Sequence, residues 1–364
     1  MRQDPFGTAR ATLVRAIDAG AFPAASVEVG RCAGAVWREA LGRPDDEPGS
    51  PTATMETIFD LASLTKVLAT TPLVMRLIES GRLALEDPVA RWADEWRGHD
   101  REHVTVRDLL AHASGLTAHL PLYRDCEGRR EFESAICRLP LEYPPRTQSV
   151  YSDLGFILLA FIAESAAGES FDRQYDRLRA DLGDPAPVFR PPRQWHGRIA
   201  PTGVDAWRGR LLVGEVNDQN AWALGGVAGH AGLFGTAAAV GRVARSILQG
   251  LRESAGCAPV AREDAPPAIA SPATVRLFAT RTPIPRSSRA LGWDTMLPTS
   301  SCGHRMSSTA IGHTGFTGTS LWIDWEADAY AVLLTNRVHP NAANEAILDL
   351  RAAFHDAVME ELGA

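Results

Sequence analysis

Hydrophobic positions along the chain follow two periods. Residues 10–19 repeat apolar side chains at helical spacing, and Gly20 favours a stop. Ala25–Gly30 and Ala35–Leu41 alternate around a short turn at Arg31–Gly34, the pattern of paired strands. Asp45–Thr54 is polar and Pro-containing and reads as loop. Leu64–Ser80 is the clearest helix: apolar residues recur at Val67, Leu68, Val74, Leu77 and Ile78, and Gly81 ends the run. From 90 to 180 the pattern is mostly helical, firmest over Val106–Ala111 and Leu154–Ala166. Gly183–Arg193 carries four prolines and reads as an irregular connection. Leu224–Thr236, with five glycines, precedes a helix over Ala237–Gln249, and residues 255–272, rich in Ala and Pro, read as an exposed loop. Ser308–His313, Ser320–Trp325 and Ala329–Thr335 are short strand-like runs, and Asn344–Leu362 is a closing amphipathic helix.

Strands, then helices, then strands again give an α+β class: an antiparallel sheet flanked by helices, with a mainly helical domain inserted. The boundaries expected are 1–88 together with 200–364 for a discontinuous sheet domain and 89–199 for the helical one, with a site at their interface. The 364 residues suit two domains, and 45% hydrophobic residues suffice for a sizeable core. A net charge of −7 argues against a broad nucleic-acid or anionic-membrane surface, so neither partner is expected. No window approaches the ~18 uncharged apolar residues of a membrane span. The first residues lack the uncharged apolar run of a secretory signal. Cys32, Cys126, Cys137, Cys257 and Cys302 are scattered without a CxxC pair, indicating neither a zinc site nor a disulfide framework. A reducing cytoplasm is the expected location, or the periplasm if a leader has been removed.

Lys and Arg together number 37, yet only Lys66 is lysine. A coding bias toward Arg explains the others; a position that stays Lys asks for something Arg cannot do. Arg is effectively always protonated, whereas Lys can lose its proton when buried, so Lys66 is a candidate general base. In Ser63-Leu64-Thr65-Lys66 the two functional residues are three apart. On a helix that spacing puts them on one face, with the amine in reach of the hydroxyl. Serine is a poor nucleophile until a base takes its proton. Tyr151-Ser152-Asp153 precedes the helix near Leu154; a phenol beside a protonated Lys is expected to have its pKa lowered and to shuttle protons. The bland alternative is an N-cap with a packing Tyr. Gly312-His313-Thr314-Gly315-Phe316-Thr317-Gly318 joins two strand-like runs, and its backbone N–H groups can face a ligand; the bland alternative is a glycine-rich turn. His112 and His230 read as structural hydrogen-bonding residues, Trp222 and Trp322 as core or cleft wall, and the cysteines as inert packing.

Ser-x-x-Lys, then Tyr-Ser-Asp, then His-Thr-Gly, in that order, resembles the serine β-lactamase and penicillin-binding-protein superfamily. The likeness is to its class C, D-alanyl-D-alanine carboxypeptidase and family VIII esterase branch. Supporting strings are Phe59–Ser63, Arg107–Leu116 and Gly225–Phe234. The resemblance implies a β-lactamase-like fold, no cofactor and no metal. It implies Ser63 as acylated nucleophile, Lys66 and Tyr151 as proton carriers, and the N–H groups of Ser63 and Phe316 as an oxyanion hole. Asp153, His313, Gly315 and Phe316 would contact substrate. Asp153 stands where the family commonly has Asn, and His313 where lactamases and peptidases usually have Lys. Both departures remove donor or permanent positive character. The reading is therefore an esterase or peptidase acting on a small ester, amide or lactam, with weak lactamase activity. The alternatives are a D-alanyl-D-alanine carboxypeptidase or a true β-lactamase, and, in another class, a non-hydrolytic penicillin-binding sensor.

Overall fold

The computed structural model describes residues 5–45, 49–260 and 265–363. Parts of two expected loops, 46–48 and 261–264, lie outside the described residues. The chain opens with α1 (Gly7–Asp18) and the hairpin β1 (Ala24–Arg31) and β2 (Gly34–Gly42). It closes with β8 (Asp294–Thr295), β9 (Ile311–Thr314), β10 (Ser320–Asp324), β11 (Ala329–Thr335) and α10 (Ile347–Glu361). The two ends form one antiparallel sheet, in the order β2-β1-β11-β10-β9-β8. β1 and β11, some 300 residues apart, pair from Ala25↔Thr335 to Gly30↔Tyr330.

Side chains on successive sheet residues point to opposite faces, and here both faces are covered. Val27, Val29, Ala331 and Leu333 pack with Leu13 of α1 and Phe354 and Val358 of α10. Tyr330, Val332 and Leu334 face the other way, in a cluster that includes Val240 and Val243 of α8 (Ala237–Ser254). The same cluster runs on to Leu109 of α3 (Val106–Leu110) and Phe156 of α5 (Asp153–Ala167). Sheet and helical region therefore share a continuous core. No single described helix is long and apolar enough to cross a membrane.

Between the sheet's two halves lie β3 (Phe59–Asp60), α2 (Thr71–Glu79), α3, α4 (Gly128–Arg138), α5, α6 (Phe171–Leu182), β4 (Val188–Phe189), the hairpin β5 (Val204–Asp205) and β6 (Arg210–Leu211), α7 (Gln219–Ala223), β7 (Leu233–Gly235), α8 and α9 (Pro272–Ala279). β3, β7 and β4 form a small second sheet, so the Pro-rich connection and the glycine-rich run each hold a short strand. The run expected to be exposed at 255–272 turns inward at its end, where Ile269 and Ala270 are buried.

The helix expected over Leu64–Ser80 is regular only from Thr71. Ahead of it lie a 3₁₀ turn at Ala62–Leu64 and a π turn at Lys66–Thr70, in which the Thr71 N–H reaches Lys66 O. Pro72 supplies the physical reason. It has no N–H, and its ring cannot sit against the carbonyl four residues back, so the ladder widens before α2 starts.

Candidate active site

Ser63 sits on the 3₁₀ turn after β3, directly behind Ala62, whose φ of 47° is left-handed. The buried Asp60 carboxylate fixes that bend: one oxygen accepts from the Ala62 N–H at 2.8 Å and the other from the Asn217 N–H at 2.7 Å. Burial raises its pKa to about 6. Lys66 follows three residues later, fully buried. Its ammonium donates to Ser63 Oγ at 3.1 Å, to Asp153 Oδ1 at 2.7 Å and to the His230 carbonyl at 3.2 Å, and lies 4.7 Å from the Tyr151 ring centroid.

Tyr151 and Asp153 arrive together at the start of α5. Ser152 caps that helix through the Gly155 N–H. His112 Nδ1 accepts from the Ser152 N–H at 3.0 Å, and its ring packs 4.8 Å from Tyr151 and 5.0 Å from Phe156. His112 is thus a structural hydrogen-bonding residue, and what it holds is the turn carrying Tyr151 and Asp153. His230 Nε2 pairs with Asp218 Oδ1 at 2.8 Å. His119, half exposed, brings Nδ1 to 3.6 Å from Asp153 Oδ2, a contact that raises the His119 pKa.

His313 lies at the end of β9. Beyond it the backbone turns through Gly315, where a Cβ would meet Thr319 Oγ1 at 2.1 Å and Leu61 O at 2.7 Å, so only glycine fits. The Gly315 N–H donates to Thr319 O. The buried Arg351 of α10 donates one nitrogen to both Gly315 O at 2.7 Å and Thr319 O at 2.9 Å. Arg337 donates to Phe316 O at 2.9 Å.

These elements enclose a cavity of about 520 Å³, whose wall includes Ser63, Tyr151, Asp153, His313 and Phe316. Gly315 is not on that wall and shapes the turn from behind, and Lys66 lies beneath the wall. His119, Asp218, Gln219, Arg289 and Asp294 also line it. Pattern reading missed all five. Arg289 is one arginine among dozens, with no local motif to single it out.

The charges expected of Lys66 and Tyr151 are corrected. Burial pulls the Lys66 pKa down, but the Asp153 carboxylate and then Tyr151 outweigh it, so the ammonium holds its proton more tightly than a free lysine. Burial opposes Asp153's charge, yet Lys66, His119 and His230 hold it well below the usual carboxylate range. The Tyr151 hydroxyl is pushed up, because burial exceeds the help from Lys66. Burial, with Arg289 and Lys66 nearby, drives the His313 pKa far down. His313 is a neutral imidazole whose Nδ1 contacts Thr314 O at 2.8 Å and whose Nε2 is buried without a protein partner. Permanent positive charge at the wall comes instead from Arg289, whose guanidinium lies 5.2 Å from the Tyr151 ring centroid.

The tryptophans divide. Trp322 is core and donates to Ser301, whereas Trp222 is 38% exposed and lies outside the core and outside this cavity's wall. All five cysteines are free thiols.

A β-lactamase family model matches residues 10–355. A relative from Escherichia coli K12 named "Putative D-alanyl-D-alanine carboxypeptidase" is 30% identical over 353 residues, covering 85% of this chain and 77% of its own. Among solved structures, EstCE1, described as a hydrolase with promiscuous acyltransferase activity, superposes with a TM-score of 0.74 at 21% identity, covering 97% of this chain and 99% of its own. A penicillin-binding protein homologue from Caulobacter crescentus gives 0.75 at 18% identity, covering 98% of each chain. The α+β architecture is theirs, and the chain belongs to the β-lactamase family of serine hydrolases.

Proposed function

We propose that the protein hydrolyses a small ester or amide through an acyl-enzyme on Ser63, as an esterase or peptidase with weak lactamase activity. The observation that carries this is the buried Lys66 ammonium 3.1 Å from Ser63 Oγ at the floor of an open cavity. Ser63 Oγ attacks the substrate carbonyl and its proton passes to Lys66. The leaving group takes a proton by way of the Tyr151 hydroxyl, and water then cleaves the Ser63 ester. The N–H groups of Ser63 and Phe316 receive the developing oxyanion. Lys66 accepts a proton only from its neutral fraction. Pairing with Asp153 keeps that fraction small near neutrality, so acylation climbs with pH.

Arg289 refines the substrate. It offers a charge-assisted bond to a carboxylate beside the scissile bond, which favours substrates of the carboxypeptidase type named in the relatives over neutral esters. A labelled fluorophosphonate should attach to Ser63 and leave the Ser63→Ala variant unlabelled; equal labelling of both overturns the reading. The Arg289→Ala variant should raise KM for carboxylate-bearing peptides by about 10- to 100-fold and leave p-nitrophenyl acetate nearly unchanged. A parallel loss on both substrates removes Arg289 from substrate recognition.

A further inference from the structure

Asp60, 2% exposed at the end of β3, forms no ion pair among the described residues. Burying a carboxylate without a cation is costly, so its place asks for a role that a neutral side chain could not fill. The bonds around it supply one, because three parts of the catalytic cavity are tied at this residue. Its Oδ1 accepts from the Ala62 N–H and holds the left-handed bend directly before Ser63. Its Oδ2 accepts from the N–H of Asn217, in the 217–219 stretch that lines the cavity. Its own carbonyl accepts from Thr317 Oγ1 at 2.7 Å, and the next one, Leu61 O, from Thr319 Oγ1 at 3.1 Å. Those two threonines belong to the turn that carries Phe316.

The Ser63 and Phe316 N–H groups are the oxyanion donors of the reading above, and this knot sets their spacing. An alanine at φ 47° is not at rest, since L residues avoid the left-handed region, so the bend needs a holder. Only an ionised carboxylate accepts with both oxygens and donates with neither. An amide or a carboxylic acid puts a donor where one of the two N–H groups must be met. The second bond matters as well as the first. Asp218, next to Asn217, pairs with His230, whose carbonyl accepts from the Lys66 ammonium.

We propose that Asp60 is a positioning residue for acyl transfer: as a carboxylate it holds the Ser63 N–H at the oxyanion position, and on taking up a proton it releases that donor, so mild acid turns the enzyme down. The inference rests on the acyl-enzyme reading. Burial raises the Asp60 pKa to about 6, against the pull of its two N–H bonds. Asp218 pushes the same way as burial and Arg208 the other, but Arg208 is itself paired with Asp205. β7 and the 315–319 turn bring no charged side chain. The carboxyl therefore takes its proton below about pH 6, well above the range of an ordinary Asp.

The experiment follows kcat and KM for p-nitrophenyl acetate from about pH 5 to about pH 8, with folding checked at each pH by circular dichroism. Lys66 alone gives log kcat/KM a slope of about one; a second group that must be ionised steepens it toward about two below about pH 6. In Asp60→Asn the steepening should vanish, and kcat at about pH 8 should fall about 10- to 100-fold with KM within about threefold. His119 is the other group with a raised pKa beside the site, and His119→Gln should keep the steepening. A slope of about one throughout in the native protein overturns the proposal, even if Asp60→Asn does not fold. Steepening that persists in folded Asp60→Asn, or is lost in His119→Gln, overturns it too, as does an unchanged kcat in Asp60→Asn. Fluorophosphonate on Ser63 alongside any of these outcomes removes the role of Asp60 and leaves the acyl-enzyme standing.

Discussion

Lys66 has no contact with water; three oxygens and an aromatic face surround its ammonium. Its readiness to take the Ser63 proton is set by the residue at 153. With Asp there, the neutral amine is scarce. In Asp153→Asn the carboxylate is gone and burial acts with less opposition, so the Lys66 pKa falls. The acid limb of the kcat/KM profile for an uncharged ester should then move down by about one pH unit or more. An unmoved limb would show that Lys66 is not the titrating base. Lys66→Arg keeps the charge and cannot supply a free base, so acylation should fall more than about tenfold, over ~1.4 kcal/mol, with the fold retained. His313 stays neutral, so binding of anionic substrates should show no gain at mildly acid pH from that ring. A KM-versus-pH series with matched anionic and neutral substrates checks this: a gain for the anion alone, present in the native protein and lost in His313→Gln, would show His313 to be a cation after all.

At the scale of elements, the site depends on joints. The π turn before Pro72 sets where Lys66 stands relative to Ser63, and the 315–319 turn sets where the Phe316 N–H stands. Arg351 is the far anchor of that turn, reaching from α10 to two of its carbonyls. Burial lowers its pKa to about 10, so it stays charged at neutral pH. Arg351→Met leaves both carbonyls without that donor. It should lower kcat by about 10- to 100-fold with a smaller change in KM, below the cost of deleting an oxyanion donor outright. Arg351→Lys should recover part of it. Unchanged kcat in the Met variant would mean the turn holds itself.

Across the whole molecule, several histidines are buried neutral. His112 and His313 lie well below their ordinary pKa, and burial takes His355, bonded to Ser320, down to about 3. In the unfolded chain each imidazole takes a proton near pH ~6.5, and in the folded chain it does not. Protons therefore favour unfolding, and stability falls as pH drops below that value, by up to about 1.4 kcal/mol per pH unit for each histidine. Asp153, with its lowered pKa, adds to the loss as pH falls below the ordinary carboxylate value. Asp60 opposes it between its folded value of about 6 and the ordinary value, because there the folded state takes the proton first. Glu28 and His119, whose pKa values are also raised, oppose it too, but the three histidines are driven further from their ordinary value, so the balance is a net loss. Urea unfolding should show lower stability at about pH 5 than at about pH 7, with a shallower fall in His355→Gln. A flat profile would contradict the buried neutral state.

Much was legible in the chain itself. Periodicity found α1, the β1–β2 hairpin, α3, α5, α8, the three long C-terminal runs and α10, because each has an apolar face whose period its own residues write. The solitary lysine and its spacing from Ser63 marked the chemistry, since that pairing is local along the chain. Tertiary structure decided what depends on distant neighbours. Pairing of β1 with β11 closes the sheet across the whole chain. The charge of Lys66 comes from a carboxylate 87 residues away. The neutrality of His313 comes from burial that no local pattern encodes, and the positive wall from Arg289, one arginine among many. The contacts of Trp207 with Tyr123 and Trp222 likewise exist only because three remote segments meet. Local sequence fixes which backbone shape and which reactive groups are available; their protonation and reach follow from dielectric and proximity, which arise only once the chain has folded.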